Sequence, residues 1–406
     1  MSSSGTCQTT SLKDAFRTLE LLSERYPPQT KTVDVASLEP GRILAEDIEA
    51  ETDIPAVRTS SVNGFATMVS YIGTKRRIVG LSTVLSPYYA TLLPGECVRI
   101  SSGGVVPNGA DTVVPHDDVA LTSQDDDEGV ETVEFEYPLG EGDNIREKGS
   151  EAKAGDVILH DGQKIDSMAI GLLHALQMTE IEIYRKARVC VLSIEDDTTV
   201  KIKKTGMNMT RAHLLALFQA QKFKAIDAGA AMEKHSEVEE KLRIAADFAC
   251  AIVTIGGQTV LRKLAKDINL TTDIQRISAN PGDYTFAHGK IDGKPVFVCM
   301  FPDNLDSSWI GANLFVAPVL KAVEGQIVRS SPRFKAKLTK TIPQSSQIQF
   351  LRARTESVDG VLTTTPVERY AILGANSIIE VLPTSKTSVG DRVTVLLIET
   401  LPFSYI

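Results

Sequence analysis

Between residues 187 and 325, continuous apolar runs alternate with amphipathic stretches. ARVCVLSI, KAIDAGAA, CAIVTIGG and PVFVCMF read as strands. TRAHLLALFQAQ, SEVEEKLRIAADFA and SSWIGANLFVAPVLKAV read as helices. Strands with no polar face, next to helices with one, predict a parallel sheet covered on both sides. Elsewhere the period falls to two. NGFATMV, RRIVGLSTVL, ECVRISSG, ADTVVPHDDV and VETVEFEYP predict a small β module over 55–142. FKAKLTKTI, IQFLRARTES, GVLTTTPV, SIIEVLP and DRVTVLLIE predict a second β-barrel or sandwich at the end of the chain. A helix is expected over Ser11–Leu22, capped by Ser11 and with Leu12, Ala15, Phe16, Leu19 and Leu22 on one face. Another is expected over Asp166–Gln177, capped by Asp166.

The organising stretch is Ala251–Ala265, an apolar run broken by Gly256-Gly257 and able to continue as helix. A strand ending in such a turn lies at the carboxyl edge of a parallel sheet, where helix N termini offer free N–H groups to anions. The glycines would let the backbone approach a phosphate. The residues that follow, from Gln258 to Leu264, are poor in ligands.

Composition narrows the class only slightly. At 406 residues there is room for two to four domains. A net charge of −9 argues against nucleic acid or anionic membranes as partners. No apolar run reaches the ~20 residues of a membrane span, so no membrane insertion is expected. Five scattered cysteines without a C-x-x-C pair predict buried free thiols and a cytoplasmic location. The acids of Asp125–Glu128 read as a solvated hairpin tip. Six dispersed histidines make no zinc pattern, and no G-x-S-x-G elbow is present. Trp309 reads as packing.

Several motifs recur in a telling order. TDIPAVRTSSVNGFATM is similar to D-x-P-x-x-x-x-S-x-x-D-G-Y-A, and RISSGGVVPNGADTVVPHDDV to R-I-x-T-G-A-x-x-P-x-G-A-D-A-V-V-x-x-E. GDNIREKGSEAKAGDVIL is similar to G-x-N-I-R-x-x-G-x-D-x-x-x-G-x-x-L, and FPDN to the end of L-P-G-N-P. Over nearly its whole length the chain resembles the molybdopterin molybdenumtransferase family, which includes the bacterial MoeA enzymes and the C-terminal domain of gephyrin. The resemblance implies α/β plus all-β modules in four subdomains: mixed α+β from 11–54 and 143–186, β-rich from 55–142, a central parallel α/β sheet in 187–325, and a C-terminal β-barrel in 326–406. It also implies a homodimer.

The family reaction inserts molybdate into the dithiolene of an adenylylated pterin and releases AMP. That chemistry wants acids for a divalent metal and N–H-rich turns for phosphates. Set against the family motifs, Asn63 replaces an Asp, Gly206 an Asp, Ile255 a Ser, Leu264 a metal-binding Asp and Asn280 a Lys, while Asp303 replaces the Gly of a phosphate turn. No catalytic residue is therefore expected at these positions. Ser102, Arg146, Gly256, Gly257 and Asp197 remain as vestigial cofactor-binding positions, with no metal. Glu195 and Asp303 are expected to make the sheet edge electronegative. The resulting expectation is a catalytically degenerate dimeric scaffold that needs no cofactor and binds an unidentified protein client. Val57, Ile348 and Pro383 stand at the positions of the family's client-binding residues. The alternative is an active molybdenumtransferase using Mg²⁺, molybdopterin-AMP and molybdate.

Overall fold

A computed structural model describes residues 9–70, 75–122, 131–135, 140–196, 208–326, 332–367, 374–383 and 387–398. The expected acidic tip Asp125–Glu128, with Asp197 and Gly206, lies outside them. The chain forms two units. The larger takes the chain up to Ala45, Lys164–Asp166 and everything from Glu180; the smaller takes Glu46–Gln163 and Ser167–Thr179. The boundaries after Ala45 and Thr179 fall inside the segments 11–54 and 143–186.

The larger unit opens with helix α1, Leu12–Ser23. Ser11 caps it, accepting from the Asp14 N–H at 3.2 Å, and Ala15, Leu19 and Leu22 are its buried stripe. The central layer is a six-stranded sheet of β1 (Arg188–Glu195), β2 (Lys224–Met232), β3 (Ala251–Ile255), β4 (Thr271–Ile274), β5 (Thr285–Ile291) and β6 (Lys294–Phe301). Its order is β2-β1-β3-β6-β5-β4. Val189 and Val191 enter one apolar cluster, Cys190, Leu192 and Ile194 another. Both faces of β1 are buried, which is why its sequence shows no polar alternation.

Strands β1, β2, β3 and β6 are parallel, as expected, but β5 runs against them and pairs antiparallel with both β6 and β4. The sheet is therefore mixed. The local cause is Asp292-Gly293, with φ of 50° and 79°, which closes a tight β5–β6 hairpin.

Helices α2 (Met209–Ala220), α3 (His235–Phe248) and α4 (Gln258–Asp267) connect the parallel strands. The expected long helix after β6 is interrupted. It runs as α5 (Leu305–Gly311), widens to a π-helical stretch over Ala312–Val316, and resumes as α6 (Ala317–Val323). Pro318 follows the widened stretch; it brings no N–H donor, and its ring crowds the preceding turn.

Strands β7 (Arg333–Leu338), β8 (Ile348–Val358), β9 (Val361–Pro366), β10 (Ser377–Val381) and β11 (Arg392–Leu397) end the chain. They pair in the order β8-β9-β7-β11-β10 and β10 returns to β8, closing a five-stranded barrel. Ala353, Ile379, Val393 and Val395 help fill it.

The smaller unit holds a six-stranded, barrel-like sheet in the order Thr112–Pro115, Gly64–Thr67, Glu96–Ile100, Lys75–Ser82, Thr132–Phe135, Val119–Thr122. Ala66, Val98 and Val113 pack in one cluster, and Phe65, Cys97 and Val114 in another. Its helix is Ser167–Ala175. Among the described residues, no helix is long and apolar enough to cross a membrane.

Candidate functional site

The carboxyl edge of the central sheet collects polar groups from sequence-distant segments. Strand β3 ends at Gly256-Gly257, and Gly257 stands at the head of α4 in the left-handed region with no side-chain cap. The glycines are required by a neighbour. A Cβ on Gly256 would meet the Ile194 carbonyl oxygen at 2.7 Å, and one on Gly257 the Ile194 side chain at 2.3 Å. Close packing against the end of β1, together with positive φ, fixes glycine here.

Asp303 follows β6 on the same edge. Its carboxylate accepts from Asn208 Nδ2 at 2.9 Å and Thr210 Oγ1 at 2.8 Å. Asn208 is the cap of α2, accepting from the Arg211 N–H at 3.1 Å. The next turn is capped too, with Asn304 Oδ1 accepting from the Ser307 N–H at 3.0 Å.

Arg211 is the cation of this edge and is only 6% exposed. Its Nη1 donates to Ser193 Oγ at 2.7 Å, and its Nε lies 3.3 Å from Asp227 Oδ1. Ser193 Oγ in turn donates to Glu195 Oε1 at 3.4 Å. Glu195 and Asp303 do lie at this edge, and with Asp227 they share it with a buried guanidinium. Sequence reading passed over Arg211 because it sits in a helix where every third or fourth residue is apolar.

Behind α2 lies a second polar group. Arg352 of β8 donates from Nη1 to Asp306 Oδ1 at 2.7 Å and sits 5.7 Å from the Trp309 ring centroid. His213 is near them, and burial, then the Arg352 charge, lower its pKa against the opposing pull of Asp306.

The smaller unit carries its own cluster. Asn63 Oδ1 accepts from the Ser102 N–H at 2.9 Å, and Ser102 Oγ donates to the Ser61 carbonyl at 3.1 Å. Arg146 pairs through the backbone with Thr59, and its Nε is 4.0 Å from Glu151 Oε1, both side chains exposed. Arg58 pairs with Glu147, and Lys148 with Asp53. The N–H of Ala154, then Lys148, hold the Asp53 carboxyl below its usual range.

Other expected positions fall in less reactive places. Ile255 and Leu264 are fully buried in the core. Helix α4 begins at Gln258, directly after the glycines, so counting forward from them lands Leu264 mid-helix on the face that packs inward. Asn280 is exposed, on a short bridge beside Ile348-Gln349 of the barrel. Ile348 is half-buried there; Val57 and Pro383 are exposed.

Among the described residues no three His, Cys, Asp or Glu side chains are placed to hold a metal ion. Cys97, Cys190 and Cys299 are buried and Cys250 is half-buried, all as free thiols. Burial pushes Cys97 up to about 12 and Cys190 to about 11, which keeps both protonated at neutral pH.

A mixed sheet whose parallel strands run into helices at this edge defines an α/β protein. The fold is also that of the molybdopterin biosynthesis MoeA protein from Pyrococcus horikoshii, with a TM-score of 0.78, 20% identity, and 97% of this chain and 100% of that one covered. Residues 10–176 match the model of the MoeA N-terminal region, domains I and II. A molybdopterin molybdenumtransferase from Haemophilus influenzae is 26% identical over 348 residues, covering 82% of each chain. One from Staphylococcus epidermidis is 26% identical over 401 residues, covering 89% of this chain and 90% of its own. The chain is thus similar to the MoeA family in sequence along most of its length and carries that family's N-terminal region at residues 10–176.

These relatives overturn the expectation of a degenerate scaffold. They carry the name of an enzyme and match across most of their length, and nothing among them indicates a scaffold. The expectation weighed lost ligands by counting along motifs. Two of the counted positions, Ile255 and Leu264, are buried core residues here.

Proposed function

We propose that this chain is a molybdopterin molybdenumtransferase, an enzyme that transfers molybdenum to a pterin carrying an anionic phosphate group. The observation that carries the reading is similarity to proteins of that name along 80–89% of the chain, through both structural units. The sheet edge supports it. The α4 N terminus has no side-chain cap, and Arg211 of α2 brings a buried positive charge to the end of β1 at Ser193. Asn63 supports it as well, because the contact it makes needs only an acceptor oxygen, which Asn and Asp both provide.

Expression in a bacterial strain lacking its own molybdenumtransferase tests the proposal. Recovery of a molybdate-dependent enzyme is expected. Absence of recovery, with the protein present and folded, would overturn it.

A further inference from the structure

Asp303 is held by an unusual pair of donors. Asn208 and Thr210 are 2% and 3% exposed, and both direct side-chain donors at one carboxylate that arrives from 93 to 95 residues away. The carboxylate therefore sits against the first turn of α2, where the partial positive charge of a 12-residue helix favours an anion. Its Cβ lies 4.0 Å from where a side chain on Gly256 would begin, so it reaches from the glycine turn to the helix. Arg211, in the same turn of α2, keeps an Nε that meets Asp227 at 3.3 Å without an aligned hydrogen bond. A buried donor of this kind still has bonding capacity for an incoming acceptor.

We propose that Asp303 is an internal anion that occupies the place of the ligand's phosphate group at the head of α2, so that a phosphate monoester binds only when this carboxylate releases Asn208 and Thr210. This deepens, and rests on, the reading of the edge as an anionic-ligand site. Two anions cannot share the same two donors. The carboxylate competes both for the hydrogen bonds and through its charge.

Calorimetric titration of the full chain with AMP and, separately, with inorganic phosphate tests the proposal. Asp303→Asn keeps the side-chain shape and removes the charge. It is expected to bind both probes at least about tenfold more tightly than the wild type, equivalent to ~1.4 kcal/mol. Asp306→Asn, which removes a charge from the same turn at the Arg352 contact, is expected to change affinity less than about threefold, equivalent to under ~0.7 kcal/mol. A thermal melt establishes that each variant folds, and Asp303→Ser replaces Asp303→Asn if it does not.

Equal affinity of wild type and Asp303 variant overturns the proposal. So does a gain with AMP alone, since the nucleoside rather than the anion would then be the cause. An equal gain from Asp306→Asn overturns it too, because general charge would explain the result. Failure of all variants to bind either probe also overturns it. The complementation experiment reads the activity separately, so a recovered strain with no gain at Asp303 discards the internal anion and keeps the enzyme.

Discussion

The sheet edge of the larger unit and the Asn63–Ser102 turn of the smaller one are both polar, yet they are built on opposite principles. At the sheet edge Arg211, Asn208, Thr210 and Glu195 are all less than a tenth exposed, and Arg211, Asn208 and Thr210 each answer a group from another segment. At the turn, Arg146 pairs with Glu151 and Arg58 with Glu147, and all four side chains are open to solvent. Water screens the second set, so its pairs are worth roughly 0–1 kcal/mol each. It does not screen the first, so losing one partner leaves another stranded. Stability should therefore be sensitive at the edge and tolerant at the turn.

The sharpest way to break this contrast is Arg211→Met. It removes the buried guanidinium that serves Ser193 and faces Asp227. A loss of about 3 kcal/mol in denaturant unfolding is expected. A loss below ~1 kcal/mol would place the edge in the same class as a surface pair.

Gly257→Ala comes next. The left-handed backbone and the 2.3 Å approach of the Ile194 side chain should together cost about 2–4 kcal/mol, read in the same unfolding experiment.

A pH series sharpens the comparison further. The folded-state pKa of His213 lies below its unfolded value, chiefly through burial. In the window between the two the unfolded chain binds more protons, so stability is lost as pH falls below about 6.5. His213→Gln should flatten the melting temperature between pH 7.5 and 5.5, and an unchanged acid slope would remove this residue from the account.

The smallest effects belong to the turn. Asn63→Asp retains the acceptor for Ser102 N–H and should shift stability by less than about 0.5 kcal/mol, whereas Asn63→Ala should cost about 1 kcal/mol.

Much of the architecture was legible because periodicity is local. Ser11 and its helix, the buried strands around Ile252 and Val298, and the terminal barrel all follow from spacing within a few residues. The antiparallel β5–β6 hairpin was equally readable, through Asp292-Gly293, but the preceding residues Thr271–Ile291 mix polar and apolar positions and hide it. The site was much less legible. The helix after Gly256-Gly257 was expected, but matching along the motif gave Leu264 the place of a ligand without showing that it faces the core. The contacts of Asp303 depend on tertiary placement of α2, which no local pattern encodes.

The larger unit is discontinuous, and this shapes how the chain emerges from the ribosome. Its first 45 residues are made before the smaller unit, but their partners come late. Phe16 of α1 packs 5.4 Å, centroid to centroid, from Phe315. At synthesis rates of about 5–20 residues per second, the roughly 300 intervening residues take some 15–60 s. Over that interval the apolar stripe of α1 has no completed surface to meet, while residues 46–179 can close their own core. The nascent chain thus presents a finished module tethered to a sticky amphipathic helix. Chaperone engagement during translation should centre on Leu12, Phe16 and Leu19, and end when α6 clears the exit tunnel.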